Sequence, residues 1–248
     1  MTASLHYEAP PLIEVVYDLE FQPLDAFRAP HFGLFWSRLV ESFPRCEQAP
    51  PLGDFQIIAG IPLPRVWLLG EPFLIQMQNN RFILNWRKDP DFADYPRYPK
   101  VKDKFRELYA NFSDFLSEYN LGVPVPTACE LRYVNQIDQG SGWNSLGDLS
   151  KVFRHICWNA DSESILANPL AIAWTGHFQL PGDMGKVVIN IKHGNKADDT
   201  SVLILELVAQ GPVGDDVWGW FDVARDSLNR SFRDVTADEI QENVWRRK

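Results

Sequence analysis

The sequence predicts an α+β fold made of two similar β-α-β-β-β-α units, residues 1–123 and 124–248, that share a core in one compact body. Three observations predict it: alternating strand patterns that come in runs, two long amphipathic helices that each close a run, and recurrence of one element order in both halves. In the first half, Leu12 to Phe21 alternates, with Ile13, Val15, Tyr17, Leu19 and Phe21 on one face and Glu14, Asp18 and Glu20 on the other. After Pro30, the positions Phe32, Phe35, Trp36, Leu39, Val40 and Phe43 recur with helical spacing, which predicts a short packing helix stopped by Pro44. Arg65 to Leu69, Phe73 to Gln78 and Arg81 to Lys88 are separated by Gly70 to Pro72 and by Asn79-Asn80, the pattern of an antiparallel meander. Val101, Phe105, Leu108, Phe112, Phe115 and Tyr119 then step by four and three, predicting a long helix from Lys100 to Tyr119 that ends at Gly122 and Pro124.

The second half repeats the order. Glu130 to Ile137 reads as a strand, Leu146 to Cys157 as a helix, and Ala171 to Leu180, Lys186 to His193 and Val202 to Ala209 as strands. A helix from Asp215 to Phe232 carries Val217, Trp220, Phe221, Ala224, Leu228 and Phe232 along one stripe, and Thr236 with Glu239 suggests a capping box for a last short helix. Trp218 and Trp220 diverge on that helix, so one of them lies at a rim or interface. Short letter matches accompany the repeated order: Glu14 to Tyr17 beside Glu130 to Tyr133, and Arg81 to Lys88 beside Lys186 to His193, with Asn85 against Asn190. These predict an internal duplication. The arrangement resembles the duplicated helix-on-sheet units of the TATA-binding-protein-like fold, with a helix-grip fold as the alternative, and neither carries a function by itself.

Composition excludes several classes. With 45% hydrophobic and 23% charged residues the chain is neither disordered nor fibrous. A net charge of -9 sets the overall field against nucleic acid and acidic membranes, so nucleic-acid binding is not expected. The N-terminus shows no basic region followed by an apolar run, and no stretch of about 18 apolar residues occurs, so neither secretion nor membrane spanning is expected. Cys46, Cys129 and Cys157 are odd in number and widely spaced, which fits a reducing, cytoplasmic setting and small buried packing residues rather than disulfides or a zinc site.

Strand phase supplies the candidate site. Arg81, Asn85 and Arg87 share one face of their strand, and Lys186, Asn190 and Lys192 share a face of theirs, so each unit projects a row of base, asparagine and base. Neighbouring strands add Gln76 and Gln78 in the first unit, and Thr175, His177, Gln179, Arg132 and Gln136 in the second. Guanidinium and amide groups suit carboxylate, phosphate or peptide-backbone recognition. The competing account is a solvated sheet with cross-strand ion pairs to Glu14, Asp18, Glu20 and Glu206. The loop Lys88 to Pro99 is rich in Pro and aromatic residues, and Tyr95, Arg97 and Tyr98 make it either a partner-binding edge or a rigid cap on the long helix.

Catalytic signatures are absent: there is no phosphate-binding Gly-rich loop, no H-E-x-x-H, no G-x-S-x-G and no C-x-x-C. No catalytic residue, metal or cofactor is therefore predicted. Of the five histidines, only His177 and His193 could meet across adjacent strands, and carboxylate or cysteine ligands to complete a metal site are not evident. Asp161-Ser162-Glu163 and Asp183 read as solvated acidic turns.

The opening PPLIEVVYDLEFQPL, the central NRFILNWRK followed by YPRYPKVKDKF, the strand ELRYVNQID and the tail SLNRSFRDVTADEI resemble, in order and over nearly the whole chain, the sporadically distributed bacterial TIGR04255 family. The most specific part is Asn85 to Tyr98. The resemblance implies a protein of about this length with no catalytic residue or cofactor to carry over, and the family's patchy distribution implies mobile genes of the toxin-antitoxin or phage-defence kind. Together these readings lead to a non-enzymatic binding or regulatory protein that engages a protein partner, or a second copy of itself, through the polar sheet face or the Tyr95 to Tyr98 loop. The alternative is an enzyme or sensor that binds a nucleotide or other anionic metabolite between the units, with His177, Lys186 and Lys192 as contacts.

Overall fold

The computed structural model describes residues 6–53, 57–58, 61–89, 95–158, 163, 165–166 and 169–248. It is α+β. Nine strands form one antiparallel sheet in the order β2-β5-β6-β7-β1-β8-β11-β10-β9, and a separate two-stranded ribbon pairs β3 with β4. The strands are β1 (Leu12–Phe21), β2 (Arg45–Ala49), β3 (Ile57–Ile58), β4 (Ile61–Pro62), β5 (Arg65–Gly70), β6 (Phe73–Gln78), β7 (Arg81–Arg87), β8 (Pro126–Asp138), β9 (Ala173–Gln179), β10 (Lys186–Asn195) and β11 (Ser201–Pro212). The helices are α1 (Ala29–Ser37), α2 (Tyr98–Glu118), α3 (Leu149–Val152), α4 (Val217–Val235) and α5 (Asp238–Asn243).

Two compact units share these elements. Unit I comprises Glu14–Leu131 with Gly211–Val217, and unit II comprises Met1–Ile13, Arg132–Gln210 and Trp218–Lys248. The division differs from a cut at 123/124 because strand pairing, not sequence order, assigns the ends. Tyr7 bridges Arg247, and the Glu8 and Ala9 amides donate to the Arg246 and Trp245 carbonyls, which ties the N-terminal segment to the C-terminal one in unit II. The Val213 amide donates to the Thr127 carbonyl at 3.3 Å, which holds the end of β11 in unit I.

In unit I the sheet buries one face under α2. The predicted stripe is realised over Val101, Phe105, Leu108, Phe112 and Phe115, which are buried, but not at Tyr119, which is exposed just past the helix end; Phe82 stacks on Phe105 and Phe112 at centroid distances of 6.2 and 5.1 Å. Tyr17 meets Phe105 at 5.3 Å, and Phe35 from α1 meets Phe112 at 5.4 Å. Burial of these rings, together with aliphatic residues such as Leu84 and Leu108, drives the layer together. The helix α1 is shorter than the spacing predicts. It stops at Ser37, and turns carry the chain to Phe43, whose carbonyl accepts the Trp36 indole N–H at 2.8 Å, leaving Val40 exposed. Strand β2 has no counterpart in the sequence reading, because four of its five residues are exposed and no alternation marks it. It pairs with β5, beside a close approach at Gly70 where a Cβ would sit 1.9 Å from the Ser42 carbonyl oxygen.

In unit II, α4 buries Trp220, Phe221, Ala224, Leu228, Phe232 and Val235 as its pattern predicts. Trp220 is the inward indole and donates to the Met184 carbonyl at 3.1 Å, while Trp218 is half-buried. The helix predicted over Leu146 to Cys157 reduces to a 3-10 turn at Leu146–Asp148 and the four residues of α3. It ends there because Phe153 is taken into a bridge with Thr236 and the Arg154 amide donates to the Val235 carbonyl. Thr236 is no cap either: its hydroxyl donates to the Phe232 carbonyl at 2.6 Å and accepts from Gln241 Nε2 at 2.9 Å, and Ala237 stands at the start of α5.

The first strand of each unit's series, β1 or β8, neighbours the last strand of its meander, β7 or β11. In the sheet order β7 flanks β1 and β11 flanks β8, while β6 and β10 each lie one strand further out. The likeness of Arg81–Lys88 to Lys186–His193 relates strands at different places, so it reflects shared strand chemistry and not shared position.

Candidate functional site

Both polar rows exist, and each is a chain of hydrogen bonds across adjacent strands. In unit II, Asn190 on β10 lies opposite Thr175 on β9 and Glu206 on β11. The Thr175 hydroxyl donates to Asn190 Oδ1 at 2.9 Å, Asn190 Nδ2 donates to Glu206 Oε2 at 2.8 Å, and Arg132 Nη1 on β8 donates to Glu206 Oε1 at 2.9 Å. In unit I, Arg65 Nη1 and Trp67 Nε1 on β5 both donate to Gln76 Oε1 at 3.1 Å. Gln76 Nε2 donates to Asn85 Oδ1 at 2.8 Å, Asn85 Nδ2 donates to Glu14 Oε1 at 2.7 Å, and Arg87 Nε lies 3.5 Å from the same carboxylate. In each row an asparagine on an inner strand relays from a neutral donor to a glutamate that also faces an arginine. An asparagine suits this place because its amide donates and accepts at once.

The two faces differ in access. In unit I the row is covered. Leu52 grips Gln78 through both main-chain groups, its amide donating to Gln78 Oε1 at 2.6 Å and its carbonyl accepting from Nε2 at 3.1 Å. Gln78 is 2% exposed and Asn85 4%, and Gln76, Asn79 and Asn80 are also buried. The Asn79-Asn80 turn is buried because its carbonyls accept from the Leu24 and Phe21 amides. Arg81 is clamped between Asp18 at 2.6 Å and Glu20 at 2.7 Å, with its side chain 18% exposed. The reading of Arg81 and Asn85 as exposed binding residues is thus corrected: both are internal supports of their sheet. Arg87 remains partly exposed, with its guanidinium 5.9 Å from the Trp67 ring.

In unit II the row is open. Thr175, His177, Lys186 and Lys192 are exposed, Asn190 is half-buried, and Arg132 and Glu206 keep 37% and 22% of their side chains accessible. Lys192 has no ion-pair partner among the described residues. His177 lies opposite Val188 on this face, whereas His193 turns to the other and meets Trp143 edge-on at 6.4 Å. The two histidines do not converge, since opposite strand phase separates them. No group of three metal-ligating side chains forms among the described residues.

The other candidates separate from this face. Tyr98, in the first turn of α2, stacks on Tyr17 at 6.1 Å, and Tyr95 packs on Trp86 at 4.8 Å, so the described end of the Lys88–Pro99 loop caps the helix. Arg97 is exposed in the left-handed region at φ 73°. Residues 90–94 of that loop, and Asp161-Ser162, lie outside the described residues. Cys129 is the buried packing cysteine, and burial pushes its thiol up to about 12, away from nucleophilic use. Cys46 and Cys157 are exposed, contrary to the packing role expected for them. A recess of about 260 Å³ beside Phe73, Arg87 and Lys88 falls below the roughly 300–1,000 Å³ of small-molecule sites.

The cross-strand ion pairs expected of Glu14, Asp18, Glu20 and Glu206 are present, whereas sequence reasoning missed Leu52 and the role of Gln76 as a shared acceptor. The dense amides of QMQNNR at Gln76 to Arg81 were the available signal, since so many neighbouring amides in strands imply buried partners. Compared with protein-family models and with curated proteins, the chain matches none.

Proposed function

We propose that the protein is a non-enzymatic binding or regulatory protein that engages a protein partner through the open polar face of unit II. One observation carries the reading: the Thr175–Asn190–Glu206–Arg132 chain fixes a rigid polar surface flanked by exposed Lys186, Lys192 and His177, whereas the equivalent surface of unit I is closed by its own chain. A preset row of donors costs little ordering entropy on binding, and Lys192 has a charge to offer an acidic group. We read the paired topology of the units as a duplicated β-α-β-β-β-α element of TATA-binding-protein-like or helix-grip kind. The resemblance to the sporadic bacterial family adds a mobile toxin-antitoxin or defence setting and a cytoplasmic location. Among the described residues no helix is long and apolar enough to cross a membrane.

The test is capture of the tagged protein from its own cells and native mass spectrometry of the intact assembly, for wild type and for Lys186→Glu/Lys192→Glu. A stoichiometric second protein that the double variant loses supports the reading; retention by the variant, or no second protein, sinks it. The second reading, a nucleotide or other anionic metabolite held by Lys186, Lys192 and His177, predicts instead a thermal shift with nucleotides that the same variant abolishes.

A further inference from the structure

Among the described residues, strand β9 ends the sheet with an edge that lacks the usual protection. Its ladder to β10 is antiparallel, with Gly176 opposite Ile189. The His193 amide donates to the Ile172 carbonyl at 3.0 Å and the Leu180 amide to the Gly185 carbonyl at 2.8 Å, so even-numbered residues bond inward to β10. The N–H and C=O groups of Ala173, Thr175, His177 and Gln179 therefore point outward, and no other described segment bonds to them. Native edges are blunted by charged residues, proline or bulges. The opposite end of the sheet follows that rule, since β2 carries Arg45 and Glu47 and Arg45 pairs with Glu71 at 3.4 Å. Strand β9, AWTGHFQ, has no proline, no Lys, Arg, Asp or Glu, and no residue at positive φ. It also presents aromatic surface: the Trp174 and Phe178 rings close over Gly176 from both sides, and Phe178 is 50% exposed.

The geometry points to a second copy of this chain as the occupant, joined edge to edge through antiparallel β9 strands about a two-fold axis at Gly176. In that register Thr175 of one copy lies opposite His177 of the other, and Ala173 opposite Gln179, which pairs the outward groups of all four residues in both directions. Trp174 lies opposite Phe178 in the closely spaced, non-hydrogen-bonded positions where cross-strand aromatic pairs pack best. The crowded centre is glycine against glycine. No like charges oppose each other anywhere along the strand, so the segment is complementary to itself. The union also runs the polar face of one copy into that of the other, side by side at Thr175 and His177. This inference stands apart from the partner proposed above, because it concerns the strand edge and not the face.

The test measures mass by light scattering after size exclusion, at tens to hundreds of micromolar, for wild type, for Thr175→Lys/His177→Lys and for Thr175→Glu/His177→Glu. The expectation is a reversible species approaching twice the 28.5 kDa chain mass for wild type, monomers for each variant alone, and restored dimer when the two are mixed. Wild type that stays monomeric over the range overturns the proposal, as do variants that still dimerise or a mixture that fails to pair. If circular dichroism shows either variant misfolded, Thr175→Cys and His177→Cys in a Cys46→Ser/Cys157→Ser background decide. Disulfide dimers should form on mixing and in neither protein alone, and any other pattern rejects the register.

Discussion

Arg81 and Asp18 form an ion pair across β7 and β1, Nη1 to Oδ2 at 2.6 Å, in which the carboxylate is buried and its second oxygen has no hydrogen-bond partner among the described residues. Removing the guanidinium would leave a carboxylate in the interior without its counter-charge. Arg81→Ala should therefore lower unfolding free energy by about 3 kcal/mol at pH 8, measured by urea denaturation. A loss of only tenths would place Arg81 on a free surface.

Asp18 makes stability depend on pH. Burial pushes its carboxyl up from 3.8 to about 7, with Arg81 pulling it back down and Glu130 and Glu20 adding to the rise. Because the folded value is above the unfolded one, the native state holds the extra proton between about pH 4 and pH 7. The contribution is whole below pH 4 and is lost as pH rises through 7, by up to about 1.4 kcal/mol per unit. Asp18→Asn should flatten that segment of the stability profile, and Arg81→Ala should cost less at pH 5 than at pH 8. An unchanged profile in Asp18→Asn would assign the dependence elsewhere.

Asn85 and Asn190 each donate to a glutamate within their row but differ in burial, so the same substitution should separate them. Asn85→Ala leaves Gln76 and Glu14 short of a partner in a closed face and should cost about 2 kcal/mol. Asn190→Ala leaves Thr175 and Glu206 to water and should cost well under about 1 kcal/mol while weakening partner capture. Equal costs in chemical denaturation would refute the contrast between closed and open faces.

Phe82 lies between Phe105 and Phe112 at the centre of unit I. Phe82→Ala should cost about 3–5 kcal/mol, and Gly70→Ala should also destabilise because its new methyl meets the Ser42 carbonyl at 1.9 Å. Thermal unfolding of both variants checks this; wild-type stability in Gly70→Ala would mean that β2 and β5 can part without loss.

Much of the fold was legible because burial writes a period into the chain. Val101 to Phe115 and Trp220 to Phe232 read as helices from their stripes alone, and the strands from β5 to β7 read from alternation and turns. Leu146 to Cys157 misled for a related reason: its apolar residues satisfy helical spacing, but Phe153 is claimed by Thr236, 83 residues on. The polar row was legible as a phase, since Arg81, Asn85 and Arg87 do share a face.

The sequence by itself determined the α+β class, the long helices, the meanders and which side chains share each strand face, because these follow from local periodicity and backbone stereochemistry. Only the tertiary structure decided which polar face is closed and which is open. That choice rests on Leu52 returning from a separate segment to grip Gln78, and such a contact leaves no periodic trace in either segment.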